Sequence, residues 1–290
     1  MLRCRFLCEF DIWGTSVQIN VLGPVSVTVG ERTYEVRAGK VRALLTTLAL
    51  EAGHAISHLE LAEELWSGHP LGNPRNALQA HATRVRRLLD RPGRNGERET
   101  SVLRALSNGY LLDVPRDCVD GNRFLDLASQ GATVLPTAPD RALRLLEAAL
   151  GLWRGPALID AGEGLRCRSA AVLFEERRLT AWEQLAGARL ALGDEPQAVA
   201  ELRRLVAQYP LREHFCELLL LALYRSGRQG DALELFRRTR QRFDEELGIL
   251  PGARMQRLHA EILAQDPVLT HPAAVWRLRR ERGHDGLLAV

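Results

Sequence analysis

Lysine is nearly missing from this 290-residue chain: of its 39 basic residues, all but Lys40 are arginine. A GC-rich coding sequence produces such a bias, so the frequency of arginine carries no functional weight and only its placement does. Cysteine is scarce as well. The five thiols Cys4, Cys8, Cys118, Cys167 and Cys216 are odd in number and scattered, and none forms a C-x-x-C pair with a second ligand pair downstream. That excludes a disulfide scaffold and a zinc finger. Cys4 and Cys8 stand one helical turn apart, but two further metal ligands are missing. Long hydrophobic runs are absent too, since stretches such as Leu218 to Tyr224 fall far short of the roughly 20 residues that cross a bilayer. The opening MLRCRFLCEFDIW mixes arginines and acids into its apolar residues, with neither an uninterrupted apolar core nor a small-residue cleavage site. The expectation is a soluble cytoplasmic protein that associates with no membrane.

Catalytic signatures are also lacking. There is no H-E-x-x-H, no G-x-S-x-G, no Walker loop and no G-x-G-x-x-G after a strand. Gly162-Glu163-Gly164 lies between helical patterns without the rest of a phosphate motif, and the spacings of His54, His58 and His69 match no metal site. An enzyme, a cofactor and a metal are therefore all unexpected. The net charge of +3 discriminates little.

What is present divides in two, as the length suggests. Val17, Ile19 and Val21, then Val25, Val27 and Val29, alternate before the polar turn Gly30-Glu31-Arg32 and Tyr34-Glu35-Val36, which predicts a small antiparallel sheet. Val41, Leu44, Leu45 and Leu48 recur at helical spacing, predicting a helix over about 40–51 with one apolar stripe, closed by Gly53. Ser57-x-x-Glu60 is a capping-box pattern that opens a second helix, with Leu61, Leu65 and Trp66 turned inward. Asn73-Pro74 pairs an N-cap with a proline at the first helical position and opens a third. On that helix Leu78, Ala82, Val85 and Leu89 cluster within about 60° as a core face. Asn76, Gln79, Ala80, Thr83, Arg84 and Arg87 point away from it.

From Arg75 to Arg94 six arginines face the single acid Asp90, whereas residues 1–115 together carry 14 basic and 12 acidic residues. The ordinary reading of such a run is a solvated helix face. The neighbouring hairpin argues for more: Val102 to Leu106 and Tyr110 to Val114 flank Ser107-Asn108-Gly109, an Asn-Gly turn of the tight hairpin kind. Three helices followed by a hairpin make a winged helix, whose third helix enters the major groove, where arginine pairs with guanine and flanking residues hold phosphate.

The leading sheet, three helices and hairpin resemble the OmpR-type winged helix, with Arg75-Asn76-Ala77-Leu78-Gln79 through Arg84-Val85-Arg86-Arg87-Leu88-Leu89 similar to its recognition helix. Val21-Leu22-Gly23-Pro24 and Lys40-Val41-Arg42-Ala43-Leu44-Leu45 resemble the antibiotic regulatory protein (SARP) branch. In these families the position shortly before the wing glycine is often arginine. Here it is Leu106, which leaves Arg104 and Asn108 as the wing's candidates.

After a polar connector, Asp117 to Gly121, the chain reads as helices and turns. Gly193 and Gly227 lie 34 residues apart, as do Ala198 and Ala232, Leu202 and Phe236, Leu190 and Tyr224, and Leu185 and Leu219. That is the tetratricopeptide period. A weaker unit runs from about Asp140 to Trp153, and Arg166 to Leu192 supplies a long helix. Trp153, Trp182 and Phe236 are read as core. Arg141-Ala142-Leu143 through Leu152-Trp153-Arg154-Gly155-Pro156-Ala157-Leu158, Tyr209-Pro210-Leu211-Arg212-Glu213, Leu223-Tyr224-Arg225-Ser226-Gly227-Arg228 and Glu246-Leu247-Gly248-Ile249-Leu250-Pro251-Gly252 resemble the bacterial transcriptional activation domain.

The expected architecture is mainly α: a winged-helix domain over 17–115, a tetratricopeptide-like activation domain over 118–266, and a tail over 267–290. The resemblance implies an activator of a secondary-metabolite (antibiotic) cluster that binds direct repeats of double-stranded DNA near the −35 region. It would recruit RNA polymerase holoenzyme and work as a homodimer or as tandem subunits at the nucleoid. A long-form relative would carry an ATPase module after the repeats and a response regulator a receiver domain before the winged helix; with Val290 as the last residue and about 16 residues before the sheet, the expectation is neither. The DNA-contacting candidates are Asn76, Gln79, Thr83, Arg84, Arg86, Arg87, Arg104 and Asn108, with Arg84 as base reader and Arg86 and Arg87 on phosphate. The alternative is a helical-repeat adaptor with a degenerate winged helix.

Overall fold

A computed structural model describes residues 17–66, 72–90, 101–272, 274, 275 and 278. Cys4, Cys8, His69, Arg91, Arg94 and the tail arginines Arg277, Arg279, Arg280 and Arg282 lie outside the described residues, as does the loop expected from Ser67 up to residue 71. The chain forms two compact units that are not contiguous in sequence. Unit 1 takes the residues up to Leu127 together with Ala149–Arg178, and unit 2 takes Ala128–Ala148 and the residues from Leu179 onward.

Unit 1 opens with strands β1 (Val17–Asn20), β2 (Ser26–Val29) and β3 (Arg32–Glu35), antiparallel in sequence order, with Ile19 opposite Val27 and Val29 opposite Arg32. The alternation in sequence is the reason on β1, where Val17 and Ile19 turn to the core while Gln18 and Asn20 do not; on β2 Val27 is buried together with Ser26. Helix α1 (Gly39–Leu50) follows. Val41, Leu44, Leu45 and Leu48 are buried, but so are Ala43, Thr46, Thr47 and Ala49, so the helix is enclosed rather than striped. Residues 149–178 supply the second wall. The Ala43 side chain lies 3.3 Å from the position a Cβ would take at Gly162, and the Thr47 hydroxyl, which donates to the Ala43 carbonyl at 2.8 Å, lies 3.9 Å from Cys167 Sγ.

A three-residue strand that the sequence does not announce, β4 (Ala55–Ser57), precedes α2 (His58–Trp66). Ser57 caps α2 as a full capping box: its backbone N–H donates to Glu60 Oε2 at 3.0 Å and its hydroxyl accepts from the Glu60 N–H at 3.2 Å. Helix α3 (Pro74–Leu89) begins as Asn73-Pro74 predicts, with the Asn73 side chain accepting from the Asn76 N–H at 3.1 Å. Its buried residues are Leu78, Ala82, Val85 and Leu89.

The hairpin consists of β5 (Leu103–Leu106) and β6 (Gly109–Leu112), and β6 lies between β5 and β4. Leu106 pairs with Gly109, so Ser107-Asn108 form the turn. Neither residue has a positive φ, so the primed turn that the Asn-Gly pair predicts does not form. Gly109 serves close packing instead, because a Cβ there would stand 2.1 Å from the Ile56 carbonyl oxygen on β4.

The expected polar connector is docked. A short 3-10 turn (Arg116–Cys118) leads to Val119, which bridges Ile19, and to the buried Asp120 at the start of α4 (Asp120–Val134). The Asp120 carboxylate accepts from the backbone N–H groups of Val21 at 2.6 Å and Leu22 at 3.3 Å and from Arg154 at 3.3 Å. Polar composition suggested a linker, whereas the carboxylate satisfies strand-end donors that would otherwise be buried unpaired. Burial pushes this carboxyl upward more than its three donors pull it down.

In unit 2 the elements are helical: residues of α4, α5 (Pro139–Leu150) and α6 (Leu165–Ala191), then α7 (Glu195–Gln208), α8 (Glu213–Arg225), α9 (Gln229–Leu247) and α10 (Ala253–Leu263). The 34-residue equivalences hold in space. Gly193 and Gly227 end α6 and α8 with φ of +77° and +72°, Ala198 and Ala232 are fully buried, and Leu185 and Leu219 both face the core. Phe236 is buried and stacks on His259 with ring centroids 3.8 Å apart, and Trp182 packs partly buried against the same cluster. No helix among the described residues is long and apolar enough to cross a membrane.

Candidate nucleic-acid interface

Amphipathic spacing positions the outer face of α3. With Leu78, Ala82, Val85 and Leu89 turned to the core, Arg75, Asn76, Gln79, Ala80, Thr83, Arg84 and Arg87 are exposed. The helix carries four arginines and no acid. His81 adds no cation at neutral pH, because burial, reinforced by Arg84 and Lys40, holds its imidazole below the usual range. Its ring packs 6.0 Å from that of Trp66. The single lysine is engaged: Lys40 Nζ donates to the Leu65 carbonyl at the end of α2.

The eight candidates separate by what they already hold. Among the described residues, Asn76, Gln79, Arg84 and Arg87 have side chains with no protein partner and stand on one exposed face. The Thr83 hydroxyl donates to the Gln79 carbonyl at 2.9 Å, which leaves its lone pairs and methyl group facing out. Arg86 is half-buried, and its Nε donates to the Leu103 carbonyl on β5 at 3.1 Å.

On the hairpin, Arg104 is exposed but ion-paired with Asp113. Asn108 is exposed at the turn, and its backbone carbonyl accepts from the His58 N–H at 2.9 Å. Leu106 is 42% exposed, so the apolar residue at the arginine position of related wings faces outward. Arg75, absent from the candidates, is exposed in the first turn of α3, and its guanidinium reaches the Ser107 carbonyl at 3.5 Å. Its place in the arginine run was the available signal, but the contact across the hairpin has none in the sequence. Among the described residues no group of three His, Cys, Asp or Glu side chains is placed to hold a metal.

Comparison with known proteins shows the family of the chain. Residues 119–263 match the family model of the bacterial transcriptional activator domain. Over 265 residues the chain is 59% identical to the transcriptional regulator RedD of Streptomyces coelicolor, covering 91% of this chain and 75% of that protein. It is 35% identical to the regulatory protein DnrI of Streptomyces peucetius, covering 87% and 93%. Among solved structures, Mycobacterium tuberculosis EmbR in complex with a low-affinity phosphopeptide superposes with a TM-score of 0.83 at 29% identity, covering 91% of this chain and 69% of that one.

Proposed function

The chain belongs to the SARP family of transcriptional activators, built as a winged helix followed by a bacterial transcriptional activator domain, and from that premise we propose that α3 reads promoter DNA in the major groove. Arg84 is the base reader, with Asn76 and Gln79 beside it and Thr83 offering an acceptor and a methyl group. Arg87 holds phosphate. DNA binding is assigned to residues 17–115 and activation to 118–266. The targets are direct repeats near the −35 region of a secondary-metabolite cluster, occupied by tandem subunits that recruit RNA polymerase holoenzyme at the nucleoid.

The observation that carries this reading is the unpartnered face of α3: two arginines and two amides exposed together on a helix without an acid. Affinity of the full chain for a cognate promoter fragment, measured against salt, tests it. Counterion release gives a log–log slope near −0.9 for each phosphate neutralised. A flat response removes the reading. Arg84→Ala is expected to cost on the order of 1–3 kcal/mol and relax one base position, while Arg87→Ala weakens all sequences alike. Unchanged affinity and preference in Arg84→Ala would show that another face docks.

Leu106 and the Arg104–Asp113 pair favour a second reading for the wing alone, in which the hairpin contributes shape and little charge. The adaptor alternative, with DNA binding lost altogether, predicts the flat salt response.

A further inference from the structure

Several contacts hold the β5–β6 hairpin to the rest of unit 1, among them the Gly53 N–H to the Leu112 carbonyl at 2.9 Å and the edge-on packing of the His58 and Tyr110 rings. β4, continuous with α2, pairs with β6 from Ala55↔Leu111 to Ser57↔Gly109. The His58 N–H at the start of α2 bonds the Asn108 carbonyl. From α3, Arg75 reaches the Ser107 carbonyl at the turn, and Arg86 Nε donates to the Leu103 carbonyl at the far end of β5 at 3.1 Å. Of these, the Arg86 bond is the half-buried one that ties α3 directly to the hairpin's outer strand. Among the described residues β5 has a ladder partner on one side only, because the sheet order is β4-β6-β5. Its orientation therefore depends on what α3 supplies.

Resting on the reading of α3 as the recognition helix, we propose that Arg86 is a wing-positioning residue: by donating its Nε–H to the Leu103 carbonyl it sets the angle between the hairpin and α3, and it does not itself neutralise a phosphate. A guanidinium that spends its innermost donor on the protein backbone in a half-buried setting is oriented by that bond. An edge strand fixed this way presents the turn residues Ser107 and Asn108 at one distance from the helix face that carries Gln79, Thr83 and Arg84. The arginine thus acts on DNA through the hairpin, whereas Arg84 and Arg87 act on it directly.

Two substitutions in the full chain separate donor from charge. In Arg86→Gln the amide Nε2 occupies the place of the arginine Nε, so the N–H to Leu103 is kept while the cation is lost. In Arg86→Lys the cation is kept while a methylene takes the donor's place. If Arg86 positions the wing, hydroxyl-radical footprints of a bound promoter fragment keep the hairpin's flanking protections with Gln and lose them with Lys. Affinity then falls about tenfold for Lys and stays within about twofold for Gln, with an unchanged salt slope. The opposite pattern, Lys behaving as wild type and Gln losing about 0.9 from the slope, makes Arg86 a phosphate contact and overturns the proposal. Amide hydrogen exchange of residues 103–112 in the free protein keeps the two readings apart. The lock predicts at least about threefold faster exchange in Lys and none in Gln, whether or not DNA is bound. If exchange is equal in both variants the lock is absent; if it differs but wild type binds no promoter DNA, only the reading of α3 as recognition helix fails.

Discussion

At Gly109 the local sequence signal misleads: Asn108-Gly109 reads as a primed hairpin turn, yet the glycine sits in β6 with ordinary backbone angles and is small because β4 passes close by. Gly109→Ala should therefore destabilise the protein by overpacking, on the order of 1–3 kcal/mol, by forcing β4 and β6 apart. Thermal unfolding measures this directly, and an unchanged midpoint would mean that the strands separate at no cost. At this scale the identity of the face on α3 was legible, because helical spacing alone turns Arg84 and Arg87 outward once Leu78 and Val85 turn in. The partners of Arg86, Arg104 and Arg75 were not, since Leu103, Asp113 and Ser107 lie across a chain reversal that no local pattern encodes.

Among the elements, the helix pairs of unit 2 repeat their turns as well as their cores. Gly193 and Gly227 are both left-handed with open space around the missing Cβ, so alanine at either meets only backbone strain. Each change should cost about 1–2 kcal/mol, nearly equal at the two positions, as equivalent places in a 34-residue repeat require. Chemical denaturation of the two variants checks it, and a large inequality would show that the repeats are not equivalent at their turns. The α8–α10 contact is electrostatic in part: the buried Glu217 accepts from Arg254 Nε at 2.7 Å and meets His214 Nδ1 at 2.8 Å, while Arg254 also donates to the Leu278 carbonyl at 2.6 Å. Burial alone would raise the Glu217 carboxyl, but the bonds from His214 and Arg254 outweigh it and hold it below its ordinary 4.5. A depressed folded-state value stabilises above the unfolded one and is lost as pH falls through the folded one. The stability gap between wild type and Glu217→Gln should accordingly be full near neutrality and shrink as pH drops below 4.5. A gap constant down to pH about 3 would exclude that linkage.

Taken whole, the molecule does not divide where its sequence changes character. Residues 149–178 follow two helical segments, yet they belong to the compact unit that contains α3. Glu64 of α2 shows the dependence: its buried carboxylate accepts the backbone N–H groups of Arg166 at 3.1 Å and Cys167 at 3.0 Å, capping the start of α6 from outside. Gly164 admits it, since a Cβ there would lie 2.1 Å from Glu64 Oε1. Arg166 in turn pairs with Glu51 at 3.0 Å and with Glu60. Glu64→Ala leaves two helix donors unsatisfied and should cost about 1–3 kcal/mol. Hydrogen exchange should quicken in α1 and α2 and remain unchanged in α8, and equal acceleration in all three would indicate a general loss of stability instead.

Periodicity and caps lie within a few residues of one another, so local sequence sufficed for the sheet at Val17–Glu35, the capping box at Ser57, the start and core face of α3, and the repeated turns at Gly193 and Gly227. These features depend on backbone geometry and apolar spacing, which a short stretch of chain specifies. Long-range packing is what encloses α1, creates β4, brings Asp120 to a strand end 98 and 99 residues away, and turns Arg86 to the hairpin. Each of these needs a partner distant in sequence to satisfy a buried donor, fill a wall or complete a ladder. The choice of that partner is made by packing the whole unit.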